Sequence, residues 1–234
     1  LVYGLDHLAR GEQMARAANG AARTMGGNRR RVAVDLVDSG GRRRRSDGCQ
    51  RALALDPHGR RGLCGRASQV DAATGKIRWS RDLVADTQAP LPMWGFSSSP
   101  LVVDGLVIVF AGGTNDRGIV AYSAETGEPA WHAPCGPISY SSAQLVNLAG
   151  TPQALVLSDS GVVAVDPASG KLLWDYKSEG RGIWRVAQPR PVSDSQVLVG
   201  SEDMGLVLLE VARDGNAFTA NERWKTKRMR PAYN

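Results

Sequence analysis

The sequence predicts an all-β chain: a partial β-propeller of four-stranded blades, about three to four of them, preceded by an anomalous basic N-terminal segment. Three observations carry that prediction. A nine-residue motif ending in Trp recurs at blade-length spacing, each copy holds a glycine-apexed tight turn, and apolar runs of strand length precede the second and third turns. Asp71-Ala72-Ala73-Thr74-Gly75-Lys76-Ile77-Arg78-Trp79 aligns without gaps with Ser123-Ala124-Glu125-Thr126-Gly127-Glu128-Pro129-Ala130-Trp131 and with Asp166-Pro167-Ala168-Ser169-Gly170-Lys171-Leu172-Leu173-Trp174. Trp224 closes a fourth, degenerate copy. The Trp spacings of 52, 43 and 50 residues suit a four-stranded blade and are too long for ankyrin or tetratricopeptide units.

In each copy the first side chain is placed to cap the turn's backbone N–H groups. Gly75, Gly127 and Gly170 supply the positive φ that other residues resist. Gly118–Tyr122 and Gly161–Val165 are the strands entering the turns, and Leu106–Phe110 and Ala154–Leu157 continue the meander, with Asp104-Gly105 and Gly150-Thr151-Pro152 as intervening turns. Trp79, Trp131, Trp174 and Trp224 then fall on the hairpin's second strand. Each is expected to bury against the neighbouring blade and donate its indole N–H to a backbone carbonyl.

The charge is divided unevenly. Residues 1–69 hold 14 Arg, no Lys and six acids, a balance of +8, whereas residues 70–234 balance to −2. All six Trp and all five Lys lie in the second part. Residues 1–68 are therefore set apart from a repeat domain at 69–234. The Arg-rich segment reads as disordered or as translated out of frame, since GC-rich coding sequence in the wrong register yields Arg, Ala and Gly in excess, with a further degenerate blade as an alternative. Leu55–Arg60, back-translated with ordinary GC-rich codons and shifted by one nucleotide, reads Ser-Thr-Pro-Thr-Val, similar to Ser98–Val102. A nucleic-acid-binding arm is disfavoured because such arms mix Lys with Arg, and Val32–Val37 is an apolar patch.

Several chemistries are excluded by spacing. No apolar run of 18 residues exists, so no membrane span is expected. Gly75-Lys76 and Gly170-Lys171 lack the hydroxyl and earlier glycines of a phosphate loop. His7, His58 and His132 have no zinc-ligand spacing, and Cys49, Cys64 and Cys135 form no C-x-x-C pair. The remaining candidates are geometric. Inner strands of propeller blades begin or end at the mouth of the central channel, which singles out Trp94, Ser97, Ser98, Tyr140, Ser141, Trp184 and Arg185 as a site for a small polar ligand or a protein.

The hairpin motif, with Trp94-Gly95-Phe96-Ser97-Ser98-Ser99-Pro100-Leu101-Val102 opening the next blade, resembles the pyrroloquinoline-quinone-like (PQQ-like, quinoprotein-like) β-propeller repeat family over roughly residues 70–234. That resemblance implies a periplasmic or extracellular protein and a ring of more blades than these residues supply, so missing blades are needed for closure. The family includes a scaffold of outer-membrane protein assembly and quinone-dependent alcohol dehydrogenases. The dehydrogenases carry a vicinal Cys-Cys pair and a Ca²⁺ cradle of Glu, Asn and Asp. Cys135 stands between Pro134 and Gly136, so no such pair forms there. The expectation is a non-catalytic binding or scaffolding module with no catalytic or metal residue and no evident cofactor, PQQ and calcium entering only through the resemblance. A fragment of a quinone-dependent dehydrogenase is the alternative.

Overall fold

The structure, a computed structural model, describes residues 30–34, 65–71, 74–178 and 185–232. Most of the Arg-rich segment, and Trp184 with it, lies outside the described residues.

Four antiparallel sheets make up the described residues. The first has three strands, β1 (Arg30–Val34), β2 (Arg66–Asp71) and β3 (Ile77–Asp82), in sequential order. The others are four-stranded meanders. The second contains β4 (Leu101–Val103), β5 (Leu106–Phe110), β6 (Ile119–Ser123) and β7 (Pro129–Ala133), and the third β8 (Gln144–Leu148), β9 (Thr151–Ser158), β10 (Gly161–Val165) and β11 (Leu172–Lys177). The fourth contains β12 (Arg190–Pro191), β13 (Gln196–Ser201), β14 (Gly205–Asp214) and β15 (Ala217–Thr226). One short helix, α1 (Leu83–Thr87), follows β3, capped by the Asp82 side chain, which accepts from the Ala85 N–H at 3.1 Å. This is the all-β, partial propeller that the repeat predicts. Strand β2 crosses the change of composition at Ser68.

Alternation along the middle strands explains how the sheets stack. In β5, Val107 and Val109 join a core with Trp79, Leu83 and the loop residue Phe96, while Ile108 and Phe110 join a second core with Val156 and Val165 of the third blade. In β9, Ala154 and Val156 face back to the second blade, while Leu155 and Leu157 pack with Val197, Val207 and Leu209 of the fourth. Successive side chains of a strand point to opposite faces, so a blade covered on both sides needs apolar residues at every position. That is why Leu106–Phe110 reads as an unbroken apolar run. Each fully buried Val, Leu or Ile contributes roughly 1.5–3 kcal/mol.

The hairpins share one construction. Gly75, Gly127 and Gly170 have φ of 71°, 76° and 73° and donate their N–H to the carbonyls of Asp71, Ser123 and Asp166, each at 2.8 Å. The side chains of those three residues accept from the Thr74, Thr126 and Ala168 N–H groups. Each strand pair then carries a register shift immediately after the Trp partner: Trp79 opposes Gln69, Trp131 opposes Ala121, Trp174 opposes Ala164 and Trp224 opposes Leu208, with the shift between that residue and the next. Trp224 thus occupies the same place as the other three, although its hairpin lacks the turn motif.

Candidate functional site

The inner-strand openings of the second, third and fourth blades lie side by side and are tied to one another. The Ser99 N–H donates to Ser142 Oγ at 2.7 Å, Ser141 Oγ donates to the Ala187 carbonyl at 3.0 Å, and Gln188 Nε2 donates to the Ser142 carbonyl at 3.3 Å. Ser139 Oγ adds a 2.5 Å bond to the Leu157 carbonyl and accepts from the Ser141 N–H at 3.0 Å. Short hydroxyl side chains recur here because they satisfy backbone groups where strands start and no ladder partner exists.

The sequence-predicted candidates separate into two groups. Trp94 and Tyr140 come together edge to face, with ring centroids 5.1 Å apart and planes at 61°. Tyr140 also donates its backbone N–H to the Arg185 carbonyl at 2.8 Å. Its hydroxyl is raised above the ordinary phenol range by burial, a hydrogen bond with the Trp94 backbone pulling the other way. Ser97 is half-buried in the same turn, its N–H bonded to the Gly95 carbonyl at 3.1 Å. Ser98 and Ser141, by contrast, are interior residues.

Arg185 is fully buried. Its Nε donates to the Ser158 carbonyl at 3.1 Å, and its terminal nitrogens reach Ser201 Oγ at 2.5 Å and Ser178 Oγ at 3.4 Å and pair with Asp203. Burial lowers its affinity for the proton, and the charge of Asp159 acts against that. A planar guanidinium satisfied from the third and fourth blades together is a fixed joint between them. In this arrangement its donors are turned to protein groups.

The feature that sequence reasoning missed is the apolar surface beside Trp94. Trp94 is 42% exposed and Met93 72%, and Leu91 is exposed as well. The loop bearing them joins α1 to β4, and its bend is set by Gly95 at φ 68°. Leu91-Pro92-Met93-Trp94 was readable as an apolar stretch, but its exposure depends on which blades cover it. Large exposed apolar side chains rimmed by polar groups mark contact surfaces.

The quinone and calcium implied by the family resemblance can be tested against the donors present. Among the described residues no three His, Cys, Asp or Glu side chains come together as a metal-binding group. Cys135 has no vicinal cysteine, and burial pushes its thiol up to about 12. No helix among the described residues is long and apolar enough to cross a membrane.

Residues 61–231 match the PQQ_2 family, described as outer membrane protein assembly factor BamB. The chain belongs to this family. It is 26% identical over 176 residues to outer membrane protein assembly factor BamB of Burkholderia pseudomallei (strain K96243), a match covering 71% of this chain and 42% of the relative. It is 43% identical over 72 residues to quinohemoprotein alcohol dehydrogenase ADH-IIG of Pseudomonas putida, covering 30% of this chain and 10% of that enzyme. Among solved structures, BamB from Moraxella catarrhalis aligns with a TM-score of 0.47 at 20% identity, over 70% of this chain and 44% of the other. Quinohemoprotein alcohol dehydrogenase from Comamonas testosteroni aligns with a TM-score of 0.37 at 22% identity, over 69% and 31%. The chain spans less than half the length of these relatives.

Proposed function

We propose that this BamB-like chain is a non-catalytic binding module that presents the Leu91–Trp94 loop and Tyr140 to a protein partner, in the periplasm or at the outer membrane, as part of outer-membrane protein assembly. The observation that carries the reading is the exposed pair Met93 and Trp94, with the Trp94 ring held against Tyr140. An aromatic ring fixed by a neighbour loses little freedom on binding, and such residues dominate protein contacts. The family described as an outer membrane protein assembly factor supports the partner class. The other candidates serve this surface from beneath: Ser141 and Arg185 hold the third and fourth blades together, so the rim keeps its shape when Trp94 is engaged.

The test is binding of an unfolded outer-membrane β-barrel protein, diluted into detergent-free buffer, followed by light scattering and by fluorescence anisotropy of the labelled client. The chain is expected to bind saturably and keep the client dispersed. Changing Met93→Ser together with Trp94→Ala should weaken binding at least about tenfold, equivalent to about 1.4 kcal/mol. Unchanged affinity in that variant rejects the site. The 72-residue likeness to a quinohemoprotein alcohol dehydrogenase motivates the rival reading, an enzyme fragment. Oxidation of an alcohol by the chain with added quinone and Ca²⁺, above a protein-free blank, would favour it and overturn the non-catalytic one.

A further inference from the structure

The loop that carries Leu91, Met93 and Trp94 leaves from α1, a helix of five residues. Isolated helices shorter than about 12–15 residues are marginal in water, so α1 keeps its shape through what holds it from outside. Those contacts converge on Asp86 and Thr87. The Asp86 carboxylate takes both arms of Arg81 from the first blade, Nε at 2.9 Å and Nη2 at 2.8 Å, and its Oδ2 also accepts from the Tyr122 hydroxyl of the second blade at 3.0 Å. Arg117 Nη1 donates to the Asp86 carbonyl at 3.3 Å. Thr87 is buried and donates its hydroxyl to the Leu83 carbonyl at 2.6 Å, and a Cβ added at Gly113 would come within 2.5 Å of the Thr87 carbonyl oxygen.

One carboxylate therefore joins β3, α1 and β6. Arg81 already lies over the Tyr122 ring, 5.8 Å from its centroid, a cation–π contact that links the two blades without α1. Routing both donors through Asp86 adds something else: it fixes the base of the loop with a bidentate, charge-assisted pair. The chain turns away directly afterwards. Gln88, at φ 57°, donates its N–H to the Val84 carbonyl at 2.8 Å, Ala89 is buried, and the exposed Leu91, Met93 and Trp94 follow. At its far end the loop is held by the buried Phe96 and by the bond from the Ser99 N–H to Ser142 Oγ.

Resting on the function proposed above, we propose that Asp86 is a positioning residue of the binding loop: by pinning α1 across the seam of the first two blades, it holds Met93 and Trp94 in the arrangement that the protein partner meets. A loop ordered beforehand loses less freedom on binding, so loosening its base lowers affinity without removing a contact.

The test uses the full chain, the unfolded outer-membrane β-barrel client and the variants Asp86→Asn and Tyr122→Phe, with circular dichroism to confirm the fold. Asp86→Asn is expected to weaken client binding at least about fivefold, and Tyr122→Phe about two- to threefold. In the Met93→Ser/Trp94→Ala background Asp86→Asn should cost less than about twofold, because it acts through those side chains. Amide hydrogen exchange separates positioning from general loosening: it should quicken over residues 83–96 and stay unchanged in β5 and β9. Where Asp86→Asn fails to fold, Tyr122→Phe, which removes one hydroxyl, carries the same readings on a smaller scale. Unchanged exchange over residues 83–96 overturns the proposal. So does exchange quickened equally in β5 and β9, unchanged client affinity in the folded variant, or the full loss persisting in the Met93→Ser/Trp94→Ala background. A parent chain that binds no client overturns the function proposed above, and the exchange measurement then decides the anchoring by itself.

Discussion

Trp131 and Trp224 stand at the same place in their blades, each opposite the residue just before a bulge. One covers the glycine of the next blade, and the other is 43% exposed. The difference teaches that strand register is written locally, while burial is conferred by whatever the neighbouring blade offers. Trp174 is the intermediate case. The blade beyond it has no glycine-apexed motif of the repeated kind, because β14 and β15 run ten residues each to a turn at Gly215. Trp174 is nonetheless buried among Val197, Val207 and Leu209, and its N–H turns back to Gln153 Oε1 of its own sheet at 2.7 Å. Among the described residues, Trp79 and Trp131 make the expected bond to a carbonyl of the next blade.

The largest way to break this comparison is to remove the rings. Trp79→Ala and Trp174→Ala should each cost roughly 3–5 kcal/mol, because both delete a buried aromatic and leave a cavity. Trp131→Ala, a half-buried site, should cost less, and Trp224→Ala below about 1 kcal/mol. Urea denaturation midpoints of the four variants would show this order. Equal small losses at all four would mean that the rings do not hold the seams.

The turn glycines give a finer contrast. Gly170→Val meets the Trp131 ring and must also hold a positive φ, so a loss of about 3 kcal/mol is expected. Gly75→Val has open space and should lose only the backbone term, roughly 1–2 kcal/mol. Similar losses at both positions in thermal or urea melts would deny any role to the ring above Gly170.

Alkaline pH reaches the same seams from another direction. Burial, then the charge and hydrogen bond of Asp86, 3.0 Å from the hydroxyl, raise Tyr122, and burial raises the Cys135 thiol to about 12. Both acids keep their protons in the folded chain after the unfolded chain has lost them. Their contribution is full below about pH 9 and declines as pH rises towards the folded values. Urea midpoints should therefore fall above about pH 9, with a shallower slope in Tyr122→Phe. A flat profile would contradict the burial of Tyr122.

The smallest physical effect concerns the first blade, next to residues 1–68, part of which we propose is read out of frame. Gln69 opposes Trp79 where the two following blades have Ala121 and Ala164. It is buried, and its amide finds no hydrogen-bond partner among the described residues. Gln69 lies one residue beyond that segment and within the stretch that matches the family, so it bears on the packing of β2 and not on the reading frame. The spacing does not favour the shifted frame: Ser98 and Ser141 stand 25 residues before Ser123 and Asp166, whereas the Ser-Thr-Pro-Thr-Val read from Leu55–Arg60 lies closer to Asp71. Sequencing the upstream DNA should show blade-like Gly, Trp and Ser-x-Pro signals in another frame; their absence from all frames refutes the proposal.

Much of the fold was legible because its signals are local. The Asp/Ser-x-x-Thr/Ser-Gly turns, the strand-length apolar runs and the Trp spacing each depend on a few adjacent residues and one backbone requirement. The candidate site was legible only in part. Trp94 and Tyr140 do meet, but the hydroxyls of Ser98-Ser99 and Ser141-Ser142 look alike on paper whether they face solvent or tie blades together. Arg185 reads as a free cation until Ser158, Ser178, Ser201 and Asp203 are brought around it. Those partners lie up to 27 residues away in the chain, and no local pattern records them.

By itself, the sequence determined the hairpins: glycine's positive φ, the turn-capping side chains and the alternation of strands leave one local geometry for each copy. Tertiary structure decided which identical-looking residues are interior and which are exposed. Blades bury one another, so the environment of Trp131, Trp224, Arg185 or Met93 is a property of its neighbour across the seam, and side-chain burial and charge pairing exist only once two blades are stacked.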